Sequence, residues 1–245
     1  MQNLARYLIF FQYIGTKYRG VVKVPSSQLG KKGVQDHLEE AIHRLRPNNA
    51  VSLSVSSRTD TGVHALSNSA HFDLVRKNDK PPFTEDVLVQ ALNFHLKAED
   101  IRVTHAHRVP QDFHARFKAR SRTYVYRIAL GVSHHTLLPL TDWNLCWSLR
   151  NTCRELPFWE LTFRSRSFLY KQVRRMTGAL VAVGRGQLSV SQVKQILDAR
   201  DTLAYPQGVV APAHGLFLRS VDYKESDLQL SQLPDSPDDP IKISC

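Results

Sequence analysis

The run Ser57-Arg58-Thr59-Asp60-Thr61-Gly62-Val63-His64-Ala65 places a carboxylate two residues after an arginine and two before a glycine. Gly62 permits a sharp turn that would present Asp60 to a cleft. A neighbouring cation keeps a carboxylate ionised and available as a nucleophile. Two other readings fit the bare triplet. Asp-Thr-Gly is also what a simple Asx turn looks like, and it occurs in aspartic proteases. Protease chemistry needs a second carboxylate motif or a homodimer, and the residues around Asp60 are basic rather than apolar. A hydrolase pairing Asp60 with a histidine would cleave its substrate with water and leaves the basic motifs described below without a role. His64 reads as a local hydrogen-bonding residue.

Composition narrows the partner. The chain has 245 residues, with 33 Lys and Arg against 22 Asp and Glu, a formal charge of +11. That balance suits a polyanion, and nucleic acid is the commonest one. No apolar stretch approaches the length of a membrane span. The run Tyr7-Leu8-Ile9-Phe10-Phe11 is too short for a secretory signal and reads as a buried strand. Cys146, Cys153 and Cys245 form no CxxC pair, which points to a reducing compartment. His105 and His107 share a strand face without further metal ligands and read as surface or packing residues.

Periodicity supplies the elements that must position Asp60. Residues 6–13 read as a strand. Val34, Leu38, Ala41, Ile42 and Leu45 predict a helix over 34–46, and Val51, Leu53 and Val55 alternate with serines as in a half-buried strand. Asp60 then follows on a connection. A strand over 70–74, a helix capped by Thr84 and carrying Leu88, Ala91, Leu92 and Leu96, and an extended segment through Ile101, Val103 and Val109 complete β-α-β-β-α-β. That is the ferredoxin-like order, with helices on one face of an antiparallel sheet. The second half restarts with a strand over 123–128. Phe163 closes another, and a helix follows in which Leu169, Val173, Met176, Leu180 and Val183 form the apolar stripe. A shorter helix over 190–199 and a last strand over 216–223 end the pattern. Between Leu130 and Phe163 no helical period is visible, so the second half is abridged around 131–160. The expected class is α+β, with two ferredoxin-like halves at 1–110 and 111–224, each an antiparallel sheet flanked by helices. A disordered tail over 225–245 follows.

Arg58-Thr59-Asp60-Thr61-Gly62-Val63-His64-Ala65 resembles the signature of the TruA-type tRNA pseudouridine synthases, and further motifs match in order. They are Tyr13 through Gly20, Gly33-Val34-Gln35 with Leu38-Glu39-Glu40-Ala41, and Ala91-Leu92-Asn93 with Asp100-Ile101. Phe113-His114-Ala115-Arg116-Phe117 and Arg122-Thr123-Tyr124-Val125-Tyr126 follow. Phe168 through Arg175 and Ala211-Pro212-Ala213-His214-Gly215-Leu216 complete the series. The wording around the motifs resembles the animal branch more than the bacterial enzymes.

The resemblance implies isomerisation of uridine to pseudouridine in RNA, with tRNA the favoured substrate and no metal or organic cofactor. By resemblance Asp60 is the nucleophile or base and Arg174 pairs with it. Tyr124 packs against the target base, Arg58 holds the nucleotide open or binds its phosphate, and Leu216 forms part of the apolar wall. Each has a plainer reading: Tyr124 as a sheet-core aromatic, Arg174 as the border of a buried helix face, Arg58 as a surface cation. Tyr126 reads as core with a partnered hydroxyl. Arg166, Tyr170 and Arg174 share one side of the predicted helix, and Lys171, Arg174 and Arg175 would add phosphate contacts or a solvated basic face. A homodimer is compatible with the resemblance, and the compartment, mitochondrial or cytoplasmic, is left open by the sequence.

Two departures stand out. Val21-Val22 follows Gly20 where the family often has tryptophan-glutamine, at a place read as an RNA contact. The family's Gly-x-His-Asp-Phe-x-x-Phe segment is absent between Arg150 and Phe158, as after an internal omission. Its loss would expose sheet edges and apolar surface. The alternative expectation is therefore an RNA-binding protein with impaired or no catalysis.

Overall fold

A computed structural model describes residues 3–23, 30–131, 138–149, 158–206 and 208–230. Cys153, Cys245 and the junction at 150–157 lie outside them.

The fold is α+β. Strand β1 (Ala5–Tyr13) alternates its side chains between two apolar layers. Tyr7, Ile9, Phe11 and Tyr13 enter the main core, while Leu8 and Phe10 join Val109, Phe113 and Ala115 on the opposite face. Helix α1 (Val34–Arg44) buries Val34, Leu38, Ala41 and Ile42 at helical spacing. A two-residue strand β2 (Ser54–Val55) leads to the Asp60 run, and β3 (His64–Leu74) leaves it. Val51 and Leu53 are buried as expected but lie in extended chain ahead of β2. Thr84 occupies the cap position of α2 (Glu85–His95) without a side-chain cap hydrogen bond, and β4 (Ile101–Val109) follows.

Strand β5 (Ser121–Leu130) begins the remainder, with β6 (Trp147–Leu149), β7 (Phe158–Ser165), α3 (Gln172–Gly184), α4 (Val190–Ala199) and β8 (Leu216–Asp222). Ser189 caps α4 by accepting from the Gln192 amide. The strands form one eight-stranded sheet in the order β4-β1-β3-β8-β5-β6, with β2 also on β3 and β7 also on β5. Most pairs are antiparallel, but β3 and β8 run parallel, as do β5 and β6. The parallel β3–β8 pairing matches His64 with Phe217. Both strands therefore start at the same end, and the loops preceding them, which carry Asp60 and Ala211–Gly215, lie side by side.

Two expectations about α3 change. Leu169 precedes α3 and is 80% exposed, and Leu180 is 56% exposed. The buried face of α3 is instead Val173, Thr177, Gly178 and Ala182. A Cβ on Gly178 would meet the Val209 carbonyl oxygen at 1.8 Å, so glycine is what lets α3 lie against the 209–211 backbone. Arg166 and Tyr170 also precede α3 rather than lying along it. Of the tail expected over 225–245, Leu228 packs against the Leu8–Phe10 layer, and residues 231–245 lie outside the described residues.

Apolar surface is left open in the second half. Val190, Leu197 and Leu203 are more than 70% exposed, and so in part are Phe158 and Trp159 on β7. Val21 is fully buried, and Val22 packs against the main core. The residues at that departure belong to packing rather than to an RNA-facing surface.

Two buried histidines tie stability to pH. His64 and His71 both have pKa values lowered to about 4, chiefly by burial. Unfolded, they would take protons near their ordinary value of 6.5. Stability is therefore full above pH 6.5 and falls as pH drops towards 4. Each histidine contributes at most about 1.4 kcal/mol per pH unit in that window. Unfolding midpoints at pH 7 and pH 5 check this, and a His64→Gln variant should show a shallower dependence.

Candidate active site

A cavity of about 590 Å³ opens where the Asp60 loop, the start of β5, the segment before α3 and the start of β8 converge. Asp60, Arg58, Tyr124, Arg174 and Leu216 all line it. The fold thus gathers the five residues singled out from sequence at one place.

The Asp60 loop is held from below by the N-terminal turn. Gly20 has a φ of +78°, and a Cβ there would stand 2.5 Å from the Thr59 carbonyl oxygen. Val21 donates its amide to that same oxygen at 3.3 Å. The Thr59 hydroxyl meets the buried Tyr13 hydroxyl at 2.7 Å, and Asn68 donates to the Ser57 carbonyl. His64 Nδ1 accepts from the Gly15 amide at 2.9 Å, so its Nε2 carries the proton and faces the His214 carbonyl at 3.2 Å. His64 is buried, neutral and committed to the backbone. It belongs to the frame of the loop.

Arg174 Nη1 donates to Asp60 Oδ2 at 3.1 Å, with side-chain exposures of 14% and 24%. Its Nε donates to the Ala211 carbonyl at 2.7 Å, and its own carbonyl accepts from the Ala211 amide. The guanidinium therefore bridges the loops ahead of β3 and β8. Tyr126, fully buried, donates to the Pro212 carbonyl at 2.7 Å and secures the second of them. Tyr124 is 7% exposed and packs edge-on to Phe168 at 5.3 Å. Burial, reinforced by the charge of Asp60, pushes its hydroxyl pKa up to about 12. Tyr124 is thus a neutral ring and donor. Leu216 is buried in the cavity wall, and Arg58 is exposed on its rim.

In the sequence Arg122 stands out only as part of a motif. The structure buries it under the cavity, where it donates to the Ser57 hydroxyl and to the carbonyls of Ser56, Arg116 and Arg166. One side chain clamps three lining segments, and burial lowers its pKa. A signal was present: Arg122 alternates with Tyr124 and Tyr126 on a strand, and so shares their face. Arg122→Met should destabilise the chain by roughly 2–3 kcal/mol, because buried carbonyls lose their donor. Thermal unfolding measures it, and an unchanged midpoint would remove the clamp.

The cavity mouth is basic and partly apolar, with Arg116, Arg166 and Lys171 beside Phe117, Leu169 and Tyr170. Against this geometry, the tRNA pseudouridine synthase family model matches residues 9–118 and 139–224. The chain belongs to this family. Its members are isomerases acting on tRNA uridine. A "tRNA pseudouridine synthase-like 1" from Xenopus laevis is 44% identical, with 91% of this chain and 93% of that protein aligned. The Homo sapiens protein of the same name is also 44% identical, over 89% and 90%. "tRNA pseudouridine synthase A" of Maricaulis maris is 34% identical, over 90% and 98%. The Xenopus match runs over 279 positions, more than the 245 residues of this chain. Part of that relative's length therefore has no counterpart here.

No helix among the described residues is long and apolar enough to cross a membrane. They also hold no cluster of three or more potential metal ligands. His105 is exposed on β4 and stacks on Phe10 at 4.3 Å.

Proposed function

We propose that this chain converts uridine to pseudouridine in tRNA, with Asp60 as the group that attacks the target nucleotide. The observation that carries the reading is the Asp60–Arg174 ion pair, set beside Tyr124 in a cavity large enough for a nucleoside. In the reaction the C1′–N1 bond breaks, the detached uracil turns while held, and a C1′–C5 bond forms. The C5 proton leaves to water and N1 gains one, so the conversion balances without a redox partner.

Asp60 supplies the attacking oxygen, and Arg174 keeps it aimed. Tyr124 offers the ring against which an extracted base packs, replacing the stacking lost on extrusion. Leu216 closes the apolar wall. Arg58, on the rim, holds the nucleotide open or takes its phosphate. A homodimer sharing one RNA surface belongs to the same proposal and is read by sedimentation.

The test uses tRNA carrying tritium at C5 of its uridines. Release of label, with pseudouridine mapped at discrete positions, is the expected result. Absence of release with protein in excess over tRNA would overturn it.

A second reading has its own observation. The apolar surface open on α3, α4 and β7, together with the missing counterpart of the relatives' length, favours an RNA-binding protein of low or no turnover. It predicts salt-sensitive tRNA binding without any modified uridine.

A further inference from the structure

Two large aromatic side chains at the cavity mouth are turned out to solvent. Phe117 is 72% exposed and Tyr170 is 70% exposed, although both line the cavity that holds Asp60. Each stands beside a cation. The Arg116 guanidinium lies 5.8 Å from the Phe117 ring centroid, and the Lys171 ammonium lies 4.9 Å from that of Tyr170. They come from separate segments, one ahead of β5 and one ahead of α3.

The Phe117 ring is held in place, and the chain turns sharply beside Tyr170. His114 packs on Phe117 with ring centroids 4.3 Å apart. Lys171 holds a left-handed φ of 57° where the chain turns from Tyr170 into α3, a conformation costly for a residue with a side chain. The target base is accounted for by Tyr124, which leaves these outer rings unused in the proposed reaction.

We infer that Phe117 and Tyr170 are stacking platforms for the unpaired nucleotides that flank the target uridine, with Arg116 and Lys171 taking the adjoining phosphates. Exposed rings alternating with cations are what single-stranded nucleic acid requires. Every base has a face to stack, and every phosphate needs a positive group. A paired stem offers neither ring an open base. The substrate class is therefore an RNA whose target lies in a loop or splayed segment. This inference rests on the RNA-modifying reading of the same cavity.

The probe is a uridine-rich single-stranded oligonucleotide carrying 2-aminopurine, whose fluorescence falls when the base stacks. It is titrated with the full chain bearing Asp60→Asn, which keeps turnover out of the measurement. Binding should quench the probe. Adding Phe117→Ala or Tyr170→Ala should reduce the quench and weaken binding by roughly 5- to 150-fold. Phe117→Tyr should restore both, and Phe117→Leu, apolar but without a ring, should not. An unquenched probe, or a Phe117→Leu chain that behaves like its parent, overturns the inference.

The two readings fail separately. Pseudouridine formed by a chain whose rings leave the probe unquenched sinks only the platforms. Ring-dependent quenching by a chain that modifies no uridine sinks only the catalytic reading.

Discussion

Asp60→Asn is expected to lower tritium release from C5-labelled tRNA by at least about 10⁴-fold while RNA affinity stays within a few-fold of wild type. The amide is nearly isosteric, and its oxygen can still accept from Arg174 Nη1, which stands 3.1 Å from the carboxylate. The loop does not depend on that carboxylate for its shape. Thr59 is fixed by Tyr13, Ser57 by Asn68, and the Thr59 carbonyl by the Val21 amide. The substitution therefore removes charge and nucleophilicity and little else. Filter binding and label release, measured on one preparation, separate the two quantities. Release that persists in the variant would place the chemistry elsewhere.

Arg174→Lys comes next in size, with kcat reduced about 10²- to 10³-fold and KM changed little. The guanidinium makes two diverging contacts, Nη1 to Asp60 and Nε to the Ala211 carbonyl. A single ammonium cannot serve both, so Lys either leaves Asp60 unaimed or releases the loop ahead of β8. Both partners are only partly exposed, so solvent compensates a mis-set cation there incompletely. The backbone bond from the Ala211 amide to the Arg174 carbonyl survives, so α3 should stay docked. Single-turnover rates and binding isotherms decide the case. A raised KM with kcat retained would make Arg174 an RNA-phosphate ligand instead of the partner of Asp60.

These two expectations pull on opposite ends of one construction. The loop under Asp60 is packed, hydrogen-bonded and continuous with β3. Arg174 sits on α3, and α3 and α4 carry apolar side chains that no described layer covers. Relatives align over more positions than this chain possesses, so part of their length has no counterpart here.

Local elements were largely legible in the sequence because their signals are local. Helix α1 announces itself through Val34, Leu38, Ala41 and Ile42, and α4 spans 190–199 as its spacing predicts. The α3 stripe departs from its periodicity at Leu169 and Leu180, since periodicity marks an apolar face without showing whether anything covers it. The role of Arg122 shows only in three dimensions, where the carbonyls of three separate segments converge on it.

Asp60 was found by its neighbours in sequence, Arg58 and Gly62, and by the ordered motifs around it. The order β-α-β-β-α-β and the basic charge also follow from the sequence by itself. The family resemblance pairs Arg174 with Asp60, but no local pattern carries a contact across 114 residues, and how it is made is decided by the tertiary structure. The contact is made through the parallel start of β3 and β8, which sets two distant loops side by side, and through Gly178, which lets α3 close on the second of them.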